Sequence, residues 1–109
     1  LMGRRSDHNR EQLEALILSE GCRHMAETGF SRFSAREVAK RIGYSVGTLT
    51  NVFGSYDGLV VAINTRTFQA WAAHLEARLA EGPADRIAAL VEGYFSFAQD
   101  NFNLWAAIY

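Results

Sequence analysis

SAREVAKRIGYSVGTLTNVF, Ser34 to Phe53, reads as two short helices joined by a tight turn. Ser34 with Glu37 three positions on is a capping box: the serine oxygen can accept from the Glu37 amide, and the glutamate can reach back to the Ser34 amide. Val38, Ala39 and Ile42 then fall on one face, while Arg36, Glu37, Lys40 and Arg41 fall outside it. Gly43 can take the left-handed conformation that ends a helix without a Cβ penalty. Ser45 is the next N-cap, with its oxygen aimed at the amides of Gly47 and Thr48. Leu49, Val52 and Phe53 are the apolar positions of the second helix, and Val46, Gly47, Thr48, Thr50 and Asn51 its expected outward face.

That outward face suits a DNA groove. Thr48 and Thr50 can donate to phosphate and touch the thymine methyl, and Asn51 can make a paired contact with adenine. Gly47 admits a close backbone approach, and three uncompensated amides at the helix start would form an anion site. Arg36, on the first helix, is the strongest single candidate for a guanine or phosphate contact. Periodicity alone leaves a second reading open, because a capped helix pair with a glycine turn also folds many small helical proteins without contacting DNA.

Composition bounds the rest. At 109 residues with 49% apolar content, the chain is one domain or part of one, with enough apolar surface for a core. A single cysteine, Cys22, excludes a disulfide within the chain and is expected to pack rather than react. Arg4 and Arg5 are followed by a polar run, not an apolar one, and Leu59 to Ile63 is far too short to span a bilayer, so no membrane partner is expected and a cytoplasmic home is. The net charge of −1 hides an uneven split: residues 1–54 carry a balance of +2 and residues 55–109 a balance of −3. A modestly basic head on an acidic body is expected to bind DNA with low non-specific affinity and marked salt sensitivity.

Outward from the helix pair, a first helix is expected from about Asp7 or Asn9 to Thr28, with Leu13, Ile17, Leu18, Gly21, Cys22 and Met25 inside and Gly29 as its stop. Phe30 and Phe33 read as plugs between helices, and Glu20 with His24 as a surface pair. After Gly54-Ser55 a long helix should run to Glu81, carrying Leu59, Ile63, Thr67, Trp71, Leu75 and Leu79 at spacing near four, and roughly 40 Å long. Pro83 and Asp85 open the next, expected over Ala84 to Asp100 with Ile87, Leu90, Val91, Tyr94, Phe95 and Ala98 inside. Asn101 to Asn103 interrupts, and Leu104 to Tyr109 starts another apolar pattern that reads as cut off.

This order of parts resembles the TetR family of bacterial transcriptional regulators. Ala26-Glu27-Thr28-Gly29-Phe30, Ser34-Ala35-Arg36-Glu37-Val38-Ala39, Gly43 to Leu49, and Phe53-Gly54-Ser55 before a helix bearing Leu59 carry the similarity, which is strong over residues 10–63 and looser beyond. The resemblance implies an all-α protein: a helix-turn-helix DNA-binding head over residues 1–54, then a long linking helix and the start of a helical ligand-binding and dimerisation body over 55–109. It implies a homodimer on a palindromic operator, paired through helices beyond this chain's end, and release of DNA when a small-molecule effector binds. No cofactor or metal is implied.

Carried over position by position, the implied DNA-binding set is Arg36, Ser45, Val46, Gly47, Thr48, Thr50, Asn51 and Tyr56, with Arg4 and Arg5 as further candidates or a solvated arm. Three positions depart from the family pattern. Thr50 stands for an aromatic, Val52 for a phosphate-touching histidine, and Tyr56 for a lysine. The weaker phosphate clamp keeps a second function in view, a helical binding module that has lost DNA recognition. Trp71 and Trp105 are the best effector-contact candidates in an aromatic set whose simplest role is core filling. His8, His24 and His74 are scattered, and no nucleophile elbow, phosphate loop or dinucleotide fingerprint occurs, so no catalytic residue is assigned and an enzyme is not expected.

Overall fold

The computed structural model describes residues 8–109. It holds six α-helices joined by short turns, and no strand among the described residues. Helix α1 spans Arg10–Thr28. Asn9 caps it with a complete box: its side chain accepts from the Gln12 amide at 2.8 Å, and the Gln12 side chain accepts from the Asn9 amide at 3.0 Å. Gly29 ends it at φ 81, a value that glycine alone takes without strain.

A single 3₁₀ turn, Phe30–Arg32, leads into α2, Ala35–Ile42. Phe33 is buried there as expected, but Phe30 is 53% exposed. Ser34 accepts from the Glu37 amide at 3.1 Å. The return half of that box is not made, because the Glu37 carboxylate is taken by Arg41 at 3.0 Å. Gly43 adopts the left-handed conformation, and Tyr44 donates back to the Ala39 carbonyl at 3.0 Å, closing α2. Helix α3, Val46–Phe53, follows at once, and α4, Tyr56–Ala80, leaves it at 69° after Gly54-Ser55.

Two starts differ from expectation. Helix α5 is Arg86–Asp100, because Asp85 accepts from the Ala88 amide at 3.0 Å and acts as the cap rather than a first-turn residue; Pro83 lies outside the helix. Helix α6, Phe102–Ile108, begins two residues early, since Asn101 alone suffices to break the chain direction.

The head's core lies where α1, α2, α3 and α4 converge on Ile17, Met25, Val38, Leu49, Leu59 and Ile63, all fully buried. Each such side chain contributes about 1.5–3 kcal/mol of burial relative to exposure. His24 is also buried, with neither ring nitrogen hydrogen-bonded among the described residues, and its ring lies 5.4 Å from that of Phe33. The expected surface pair with Glu20 is therefore absent: Glu20 turns to Arg41 and Arg23 instead.

Helix α5 packs on α4 through a face shifted from the one expected: Leu90, Tyr94 and Ala98 are half-buried along it. Ala89, Gly93 and Phe97 are buried, while Ile87, Val91 and Phe95 are 75%, 51% and 60% exposed. Small residues decide this. A Cβ on Gly93 would stand 2.8 Å from a Leu75 methyl, so the helices approach closely only along the Ala89–Gly93 line. His74 to Ser96 at 3.1 Å and the Arg78–Glu92 ion pair fix the register.

Candidate nucleic-acid interface

Helices α2 and α3 meet across Gly43 to Ser45, with Leu49 on the buried side of α3 and Asn51 on its exposed side. Asn51 has no partner among the described residues, so both ends of its amide are available to a base edge. Gly47 is exposed, and a Cβ there would meet only Ser45 Oγ at 3.7 Å. Val46 departs from expectation. It sits three residues before Leu49 on the same face and packs partly against the core rather than outward.

The hydroxyls are partly committed. Ser45 Oγ accepts from the Thr48 amide at 3.1 Å and shares a 3.0 Å hydrogen bond with Thr48 Oγ1, which leaves one of the two hydroxyl protons for another acceptor. Thr50 Oγ1 donates to the Gly47 carbonyl at 3.2 Å and lies 3.4 Å from that of Val46, so Thr50 offers its methyl and lone pairs, not its proton. With the Thr48 amide capped, two amides remain open at the start of α3, those of Val46 and Gly47, rather than the three expected.

The cations divide into bound and free. Arg41 holds three carboxylates, Glu20 at 3.1 Å, Glu27 at 3.2 Å and Glu37 at 3.0 Å, and this raises its pKa further. The Arg41 bond also holds the Glu37 carboxyl below its ordinary range. Arg32, Arg36 and Lys40 are exposed and make no ion pair among the described residues. Arg36 and Lys40, four apart, share one face of α2. Tyr56, the first residue of α4, is 39% exposed, its ring 6.2 Å from that of Phe33. Arg4 and Arg5 lie outside the described residues.

Two features of this region escaped the sequence reading. Arg10 reaches across from α1 to donate to the Val52 carbonyl at 3.0 Å, a contact between residues 42 apart that no local pattern signals. Gly58 did leave a signal, a glycine in the first turn of a long helix. A Cβ there would overlap the Phe53 carbonyl oxygen, so only glycine lets α4 start where it does.

Trp71 and Trp105 do come together. They line a cavity of about 190 Å³ between α4, α5 and α6, with Phe68, Tyr94, Phe97, Ile108 and Tyr109. Tyr94 stands edge-on to both indoles, at 5.9 and 6.0 Å. Burial first, and then the Tyr109 phenol, hold the Tyr94 hydroxyl above its ordinary pKa, so it stays a neutral donor. Among the described residues, no charged side chain lines this space.

Residues 17–63 match the family described as bacterial regulatory proteins, tetR family. The match begins and ends on two fully buried core residues, Ile17 and Ile63, and contains the whole α2–α3 pair. No curated protein matches the chain. Residues 17–63 are thus similar to the helix-turn-helix DNA-binding head of the tetR family of bacterial transcriptional regulators.

Proposed function

We propose that this chain binds double-stranded DNA at a palindromic operator as a homodimer, and that it acts as a cytoplasmic, ligand-responsive repressor rather than an enzyme. Residues 1–54 serve as the head and 55–109 as the beginning of the effector and dimerisation body. Arg36, Ser45, Val46, Gly47, Thr48, Thr50, Asn51 and Tyr56 are the proposed DNA-facing set, with Val46 contributing its open amide rather than its side chain. The observation that carries the reading is the conjunction of Arg36, an exposed guanidinium, and Asn51, an exposed amide, neither with a partner among the described residues, on successive helices of the family's head.

Trp71 and Trp105 are the proposed effector contacts. An uncharged, ring-lined cavity of this size suits one or two flat apolar rings. The effector would act through α4, which carries Tyr56 at one end and Trp71 further along. A dimer must set its two recognition helices about one helical repeat apart, so a small tilt of each α4 defeats simultaneous docking.

The test is binding to a duplex selected from a random pool, measured against salt. Each phosphate neutralised adds about 0.9 to the negative log–log salt slope, and Arg36→Ala should weaken binding ~10-fold while the melting temperature holds. One observation favours the second reading, a helical module without DNA recognition: Val52 and Tyr56 bring no charge to the clamp, and Thr50 spends its proton on its own helix. A flat salt response, or an Arg36→Ala variant that binds as the parent does, selects that reading.

A further inference from the structure

Of the six α-helices, α3 is the one whose last carbonyls receive no backbone N–H from its C-cap residue among the described residues. Gly54 follows it at φ 84 without closing such a bond. Nor has α3 a basic residue in its last turn. Eight residues give a helix little stability of its own, and frayed carbonyls at its C-terminus would blur the face it presents.

The deficit is met from outside. Arg10 Nη2 donates to the Val52 carbonyl at 3.0 Å, placing a cation at the negative end of the α3 dipole. Glu14, one turn along α1, holds the same guanidinium at 3.5 Å. At the other end of α3, His8 Nδ1 shares a 2.7 Å hydrogen bond with the hydroxyl of Tyr44, the buried residue just before the Ser45 cap. Asn9, between them, caps α1. His8 and Arg10, on either side of that cap, therefore tie both flanks of α3 to the start of α1.

We propose that His8 and Arg10 form a brace that sets the recognition helix, with Arg10 as a positioning residue that supplies the missing C-terminal cap of α3. The brace holds the helix rather than touching DNA. Its value to DNA recognition rests on the function proposed above; its effect on α3 does not.

Arg10→Ala and Arg10→Lys separate the two. In amide exchange without DNA, Arg10→Ala should speed exchange at Asn51, Val52 and Phe53 while the amides of α2 keep the parent's rates, and Arg10→Lys, which retains a long cationic donor, should exchange closer to the parent. On the selected duplex, Arg10→Ala should lose about two- to fivefold in affinity, the worth of a helix-end cation, with the salt slope unchanged. Unchanged exchange in Arg10→Ala overturns the brace. Unchanged exchange together with a salt slope shallower by about one makes Arg10 a phosphate ligand instead. A parent chain that binds no duplex sinks the DNA reading, while the exchange data still decide the brace.

Discussion

Arg41 on α2 reaches Glu20 on α1 at 3.1 Å while it also holds Glu37, one turn back on its own helix, and Glu27 further along α1. One guanidinium thus ties α1 to α2 through carboxylates on both. The same contacts remove Arg41 from the pool of cations open to phosphate, so the positive face of the head rests on Arg32, Arg36 and Lys40.

Breaking this cluster should cost stability in a pH-dependent way. The Arg41 bond lowers the Glu37 pKa on folding, so the stabilisation is full above the ordinary glutamate range and is lost as pH falls through the depressed folded value. Thermal melts should show Arg41→Ala and Glu37→Gln lower than the parent by a few degrees at neutral pH, with the Glu37→Gln gap closing in acid. Lys40→Ala, which breaks no ion pair among the described residues, is the control. A gap that stays constant down to strong acid would mean that the carboxylate's charge plays no part.

Much of the head was legible because its signals are local. Ser34, Ser45 and Ser55 each cap through their own side chain to an amide three residues on, and Gly29 and Gly43 each sit where a positive φ is needed. What stayed hidden was decided between elements. The apolar residues of α5 outnumber its buried ones, and the small pair Ala89 and Gly93 chose the face by permitting close approach to α4. His24 reads as polar, yet lies at a position where α1 meets Phe33. The Arg10 contact spans 42 positions and has no period at all. At the site, Asn51 and Gly47 are exposed as expected, whereas Val46 is turned partly inward by sharing a face with Leu49.

Two glycines of the head should respond in opposite ways to alanine. Gly58→Ala forces a Cβ into the Phe53 carbonyl, backbone that cannot swing aside, so α3 and α4 must separate and the melting temperature should drop well below the parent's. Gly47→Ala meets only Ser45 Oγ at 3.7 Å, and the helix gains about 0.5–1 kcal/mol from the better helix former. It should melt at or above the parent while losing operator affinity, because the new methyl stands on the exposed face. A Gly58→Ala chain as stable as the parent would show that the α3–α4 junction can yield.

Cys22 should alkylate slowly. Burial raises its thiol pKa, and Arg66 offsets this only in part. The thiolate is the reactive form, so iodoacetamide at neutral pH should modify the folded chain more slowly than the unfolded one. Arg66→Ala removes the one stabilising charge and should shift the pH–rate profile further upward. A profile that moves down, or does not move, would mean that Arg66 does not reach the sulfur.

His24 gives the last test, and its sign is the informative part. The imidazole is buried, its Nδ1 stands 3.9 Å from Glu27 Oε1, and neither nitrogen forms a hydrogen bond among the described residues. A buried polar group without a partner costs about 1–3 kcal/mol of desolvation, which an apolar side chain of similar volume does not incur. His24→Leu should therefore melt at or above the parent's temperature, provided that leucine packs against Phe33 as the imidazole does. His24→Asn, smaller and still polar, should melt lower. If His24→Leu instead falls by as much as His24→Asn, the ring nitrogens are satisfied in solution, by Glu27 or by a trapped water. The packing of α1 against Phe33 would then depend on that polar link.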